Sequence, residues 1–534
     1  MGLQLTNAGL KNREAWEAKQ VKLPVYDREA MISRTKEAPV WIHFGAGNIF
    51  RGFIAGLQQR LLNAGEAEKG IIAAETFDDE IIDRIYKPFD SLTLMVSLKP
   101  DGGTDREVIA SLADGWKASP RFAEDWEKLE KAFACPALQM ASFTITEKGY
   151  ALRDMHGELM PVVKQDLEEG PGSARHAMSI VTALMLKRFE AGAHPMALVS
   201  MDNCSHNGEK LRGSVMEIAE GWTKKGFAPE AFLAWIGDET KVSFPWSMID
   251  KITPRPADSI TRQLTEEGFE NMEPVQTAKH TYIAPFVNAE IPQYLVVEDR
   301  FPNGRPALEK AGVYMTDRET VNKTERMKVT TCLNPLHTAL AVSGCLLGYT
   351  LIADEMKDPD LKRLVERIGY TEGLPVVTDP GILSPKAFLQ EVLEQRLPNP
   401  FMPDTPQRIA CDTSQKVPIR FGETIKARLA DGTADILEGI PVAIAAWLRY
   451  LLAVDDQGAP MQVSPDPMAE SLQEALKDIH FGEPESMGAH LRPILANTVI
   501  FGTDLTKTPL AAKIEKNFKT MLTAGGVREA LKAL

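Results

Sequence analysis

The chain has 534 residues, 44% hydrophobic and 25% charged, a balance that argues against disorder and a length that calls for two or three domains. Sixty Lys and Arg against 74 Asp and Glu leave a net charge of -14, and with no dense basic run to neutralise successive phosphates a nucleic-acid partner is disfavoured. The opening MGLQLTNAGLKNREAWEAKQ lacks the positive start and apolar core of a signal peptide, and the most apolar run, Pro441 to Val454, is shorter than a bilayer span and contains Arg449, so a cytoplasmic protein without a membrane partner is expected.

After a polar lead-in, Pro39 to Gly45 (PVWIHFG) is a short apolar strand that runs into GAGNIFRGF, followed by the helical pattern FIAGLQQRLLNAG. Gly45, Gly47 and Asn48 fall where strand hands over to helix, the place where backbone must approach a pyrophosphate resting on helix N–H groups. The third glycine of the usual dinucleotide pattern is displaced, Gly52 standing two positions late. A second strand, Gly70 to Glu75, ends in an acid that can accept hydrogen bonds from a ribose diol and repel a 2′-phosphate, so NAD is favoured over NADP. Asp78 and Asp79 compete for that role. A helix DDEIIDRIY and a strand LTLMVSL continue the β-α-β order of a doubly wound sheet.

Further strands are predicted at Gln139 to Thr146 and Pro195 to Met201, separated by the amphipathic segment ARHAMSIVTALMLKRFEAG. They end in polar residues, Thr146 and Glu147 after the first, Asp202 and Asn203 after the second, and ligands of open parallel sheets bind at such strand ends. From about Tyr294 the texture changes to helix after helix. The reading is therefore an α/β protein: an N-terminal Rossmann-like, NAD-binding domain over residues 1–294, then a mainly α-helical substrate and catalytic domain over 295–534.

In that second part TERMKVTTCLNPLHTAL sets Lys328, Asn334 and His337 at the start of a buried helix, with Glu325 one turn before the lysine. Polar groups beside the apolar run Ala339 to Tyr349 need partners, or they form a site. Five cysteines, Cys135, Cys204, Cys332, Cys345 and Cys411, fall without a CxxC pair; no cluster has convincing zinc spacing, and no metal is expected.

Six ordered stretches, GAGNIFRG, TITEKGY, SMDNCSHNG, DKITP, the Lys328/Asn334/His337 cluster and RIACDTSQKVP, together resemble the mannitol dehydrogenase family of polyol-specific long-chain dehydrogenases, from Tyr26 to at least Ala453. The resemblance implies a two-domain, metal-independent, nicotinamide-dependent oxidoreductase for sugar alcohols, sugar acids and ketoses. It matches Lys328 to the catalytic base, Asn334 and His337 to its helical partners, and Glu325 to an acid assisting proton exit. Asn203, Asp250, Arg408 and Lys416 match substrate-pocket positions. The chemistry agrees, since oxidising a secondary alcohol requires a base on the hydroxyl and donors for the developing charge.

One departure stands out. The family pattern has four residues between the lysine and the asparagine, and here there are five, Val329 to Leu333; at about 100° per residue a regular helix would put His337 nearly opposite Lys328. Either a helix starts afresh with Asn334 as its cap and Pro335 in first place, or one long helix carries a π-bulge. The bulge is favoured because Pro335 cannot donate to the helical ladder. The expected reaction is reduction of a keto-uronate to a hexonate, fructuronate to mannonate, on the similarity of CLNPLHTALAVSGCLLGY to mannonate oxidoreductases. Tagaturonate reduction, mannitol oxidation and a non-catalytic dinucleotide-binding sensor stand as alternatives, and monomer or dimer is left open.

Overall fold

The computed structural model describes residues 2–534. The chain divides into two compact units, one ending at Asn322 and the other spanning Lys323–Leu534.

The first unit is built on a six-stranded parallel sheet: β1 (Trp41–Phe44), β2 (Ile71–Glu75), β3 (Leu112–Lys117), β4 (Met140–Phe143), β5 (Met196–Ser200) and β6 (Val242–Ser243). Their order across the sheet is β3-β2-β1-β4-β5-β6, that of a dinucleotide-binding doubly wound fold, with the reversal of direction between β1 and β4. Every residue of β1, β2, β4 and β5 is buried, as a parallel sheet covered on both faces requires. Alternate residues feed two cores. Ile42, Phe44, Ile72, Ala74, Ala141, Phe143 and Leu198 pack under helices Ala123–Ala134, Ala177–Glu190 and Asn207–Lys224. Trp41, Ile71, Ala73, Met140, Ala197 and Val199 pack on the other side with Phe50 to Leu61 and Ile81 to Tyr86.

Two elements differ from the sequence reading. LTLMVSL is a strand (Thr93–Leu98), but it lies in a separate four-stranded sheet between Thr104–Ile109 and Phe286–Glu290. The third strand of the parallel sheet is instead Leu112–Lys117, paired with β2. Alternation of apolar residues identifies a strand and not its neighbour, so the more strand-like segment was placed in the wrong sheet. The change of texture near Leu295 also falls inside the first unit: Tyr294–Glu298 pairs antiparallel with Ser247–Asp250 and parallel with Tyr314–Thr316, which keeps the chain in this unit as far as Asn322.

The second unit is helical. Its centre is Asn334–Leu346 packed on Gly439–Tyr450, all of whose residues are buried. The apolar run at Pro441 is thus a core helix, and its Arg449 donates to the carbonyls of Met521, Val454 and Asp455 at 2.7 to 2.8 Å. Three carbonyls answer the desolvated charge. Among the described residues no helix is long and apolar enough to cross a membrane, and no three His, Cys, Asp or Glu side chains are grouped to hold a metal.

Candidate active site

The turn after β1 is shaped by one backbone conformation. Gly45 has φ of +104°, its N–H donates to Ala74 O at 2.9 Å, and a Cβ there would lie 2.2 Å from Thr144 O. Only glycine fits. A Cβ on Gly47 would meet nothing within 4 Å, so the turn presents open space before the helical residues that begin at Asn48. Gly52 has a different use, since a Cβ on it would meet Val287 Cγ1 at 2.8 Å. It lies in a π turn, Phe50–Ile54, closed by an i to i+5 bond from Ala55 N to Phe50 O. The displaced third glycine thus still permits close packing of the helix against the strand Phe286–Glu290.

Glu75 closes the turn from beneath. Its Oε2 accepts from Ala46 N at 2.7 Å, and Oε1 accepts from Phe77 N and Asp78 N at 2.7 and 3.0 Å. Burial pushes its carboxyl above the ordinary range, against these three donors. Asp78 is also buried, accepting from Thr277 Oγ1 at 2.6 Å. Both acids are therefore engaged by the protein's own donors. Asn48 accepts from Arg51 Nη2 at 2.8 Å and donates to Pro254 O at 3.4 Å, which brings the DKITP stretch beside the glycine turn.

The loops after β4 and β5 are joined by Asp202. Its carboxylate accepts from Ile145 N (2.9 Å), Thr146 N (3.0 Å) and the Tyr150 hydroxyl (2.6 Å), and Thr146 takes a positive φ of 64° to present its N–H. Asn207 donates to Asp202 O and Ser247 O at 3.0 and 2.9 Å, tying the SMDNCSHNG loop to the strand that ends in buried Asp250. Asn203 lies exposed on the same loop. Glu147 faces outward and pairs with Lys210 at 2.5 Å. Asp202 and Asn207 organise these loops, although the sequence offered Asp202 only as a strand-end residue and gave no signal for Asn207.

In the second unit Lys328 is 3% exposed and opens a π turn, Lys328–Cys332, whose i to i+5 bond runs from Leu333 N to Lys328 O at 3.1 Å. Leu333 then leaves helical geometry (φ -130°, ψ -61°), and a new helix starts at Asn334 with Pro335 in its first turn. The structure thus combines the two solutions that the extra residue allowed, with Leu333 rather than Asn334 in the cap position. The wide turn takes up one residue of the extra length before the fresh start at Asn334. Glu325 lies half-buried one turn earlier on Arg318–Met327.

His337 Nε2 lies 3.6 Å from Asp404 Oδ2, and Asp404 Oδ1 accepts from Arg408 Nη2. Burial pushes the Asp404 carboxyl up, but His337 and Arg408 outweigh it and hold it below the ordinary range. Next to His337, Thr338 Oγ1 accepts from Arg420 Nη1 at 2.8 Å. Lys416, whose pKa is lowered by burial and by Arg420, donates to Ile409 O at 3.0 Å and to Cys411 O, so it pins the segment carrying Arg408. The sequence reading does not single out Asp404 or Arg420, whose partners His337 and Thr338 lie far away along the chain.

Comparison with known proteins then decides the family. The mannitol dehydrogenase Rossmann-domain model matches residues 40–310 and the mannitol dehydrogenase C-terminal-domain model matches 320–522. The chain belongs to the mannitol dehydrogenase family. Among relatives in this family, the D-mannonate oxidoreductase of Thermotoga maritima is 52% identical over 100% of this chain and 98% of its own. The mannitol 2-dehydrogenase of Phaeosphaeria nodorum is 28% identical over 98% and 85%. The crystal structure of a D-sorbitol dehydrogenase in substrate-free form superposes with a TM-score of 0.79 at 25% identity, covering 96% of this chain and 97% of that one. Pseudomonas fluorescens mannitol 2-dehydrogenase, in a ternary complex with NAD and D-mannitol, gives 0.69 at 28% identity, covering 99% of each. The left-handed Gly45 and the open space at Gly47 fit a dinucleotide pyrophosphate, the group that this family's Rossmann domain is built to accept.

Proposed function

We propose that this chain is an NAD-dependent oxidoreductase that interconverts fructuronate and D-mannonate. The observation that carries the reading is the 52% identity, over essentially both full lengths, with a D-mannonate oxidoreductase. The buried lysine at a widened helical turn supplies the chemistry such a reaction needs.

When bound, NAD exchanges a hydride with the carbon that carries the reacting oxygen. The residues proposed to receive it are Gly45, Gly47 and Asn48 at the β1 turn, Glu75 and Asp78 beneath it, and Thr146 and Glu147 after β4. On the substrate oxygen, Lys328 removes the proton as hydride leaves and returns it in the reducing direction. Asn334 donates a hydrogen bond to the same oxygen, where negative charge develops, His337 receives a neighbouring hydroxyl, and Glu325 passes the lysine's proton onward. Arg408 meets the carboxylate, the group that distinguishes a hexonate from a hexitol, while Asn203, Asp250 and Lys416 hold the remaining hydroxyls. A guanidinium is suited to this task because it offers two parallel N–H donors to a planar anion.

The test is NADH turnover with fructuronate, tagaturonate and fructose side by side. Preference for fructuronate is expected. Preference for fructose would make the chain a hexitol dehydrogenase, and NADH binding without turnover of any of the three would make it a dinucleotide sensor.

A further inference from the structure

We infer that Asp404 is a positioning residue that holds two substrate-facing groups at once, the His337 imidazole through one carboxylate oxygen and the Arg408 guanidinium through the other. The inference rests on the proposed function above, in which His337 and Arg408 face the substrate.

The geometry is that of a bridge. Oδ2 lies 3.6 Å from His337 Nε2 and Oδ1 accepts from Arg408 Nη2. Arg408 is exposed on its outer side, whereas the Asp404 side chain is only 14% exposed, so this is not one of the solvated surface pairs that contribute little. The backbone on either side is fixed: Asp404 O accepts from Ile352 N at 3.0 Å, and Thr405 Oγ1 accepts from Arg408 N at 3.3 Å to start the short helix Pro406–Ile409. His337 Nε2 is buried and has no hydrogen-bond partner among the described residues, so the Asp404 carboxylate 3.6 Å away acts on it as a neighbouring charge.

Two consequences follow for the chemistry. An anion beside Nε2 favours a proton on that nitrogen and fixes the direction in which the ring turns, leaving Nδ1 to accept from a hydroxyl of the substrate. At Arg408 the bond uses one N–H of Nη2, which leaves the other N–H of Nη2, with a neighbouring nitrogen, to form a second fork for the substrate's carboxylate. One largely buried acid therefore sets both the imidazole beside the reacting oxygen and the clamp on the far end of the molecule.

A double-mutant cycle tests this, with Asp404→Asn made in the native enzyme and in His337→Gln, assayed with fructuronate and NADH. In the native background Asp404→Asn is expected to lower kcat on the order of tenfold to a hundredfold, with NADH affinity nearly unchanged and no more than a slight fall in Tm. In the His337→Gln background the same change is expected to cost far less, because residues acting through one another are not additive. Asp404→Glu should recover part of the loss. Equal losses in both backgrounds, or a lowered Tm with kcat per folded molecule unchanged, would overturn the inference. Lys328→Ala is the control on the underlying reading. Its normal turnover would overturn both, whereas loss of turnover there with a silent Asp404→Asn would overturn the bridge alone.

Discussion

After β1 the chain enters its helix through Gly45 to Gly47 and a widened turn at Phe50–Ile54; after Met327 it passes a widened turn at Lys328–Cys332 before a helix that starts at Asn334. Both segments relax helical geometry, but for opposite reasons. In the first, side chains are removed so that backbone can come close, with a left-handed Gly45, an open Gly47 and Gly52 packed on Val287. In the second, side chains are kept and the backbone beneath them is widened. A wide turn alone does not mark a site, since Ile82–Tyr86, Arg367–Gly373 and Val392–Arg396 are π turns as well. What distinguishes the two segments is which part of the chain, backbone or side chain, is proposed to meet the ligand.

That contrast predicts substitutions of different kinds. Lys328→Ala should show the largest effect, a fall in turnover of about 10²- to 10⁴-fold with NADH binding retained, measured by steady-state kinetics beside a fluorescence titration of NADH. In the oxidising direction the rise of rate with pH through the lysine's apparent pKa should disappear with it. Gly45→Ala should act on the fold instead: a methyl 2.2 Å from Thr144 O at φ of +104° should cost about 3 kcal/mol or more, read as a lower Tm whether or not NADH is present. Gly47→Ala sharpens the comparison, because with nothing within 4 Å of its Cβ it should leave Tm alone and weaken only NADH.

Glu75→Gln should give a smaller loss. A glutamine can satisfy Phe77 and Asp78 through its oxygen but turns an NH₂ toward Ala46 N, so about 1 to 3 kcal/mol of stability is expected to go. The preference for NADH over NADPH should narrow at the same time; equal use of both cofactors by the unmodified protein would move that role away from Glu75. The smallest effect is expected in the acid limb of stability. The Asp404 carboxyl is held below its ordinary range despite burial, so its contribution is complete above about pH 4, the unfolded value, and is lost as pH falls through the folded one. Asp404→Asn should flatten that limb, measured as Tm between about pH 2 and 5.

The sequence was most informative where one strand or helix carried its own pattern. The PVWIHFG strand, the GIIAAE strand and the QMASF and MALVS segments could be read because a doubly covered parallel strand is apolar throughout. LADGWK hid the third strand of the sheet, because Asp114 and Gly115 break the apolar run there. At the candidate site the lysine, the asparagine and the histidine were legible in a single short stretch, and the extra residue between them announced a deformation whose form, a wide turn followed by a fresh start at Asn334, needed the backbone. Asp404 and Arg420 were not legible, since their partners lie on a helix far away in sequence and nothing local distinguishes them from solvated charges.

Asp202 has a mechanical consequence. Because its one carboxylate holds Ile145 N, Thr146 N and the Tyr150 hydroxyl, while its own carbonyl is held by Asn207, the loops after β4 and β5 cannot open independently. Thr146 and Asn203 therefore ride on a single rigid plate rather than on two flaps. A molecule that orders one loop orders the other, and the amides of Ile145 and Thr146 should exchange with solvent as one cooperative event, slowing together when either face of the plate is occupied.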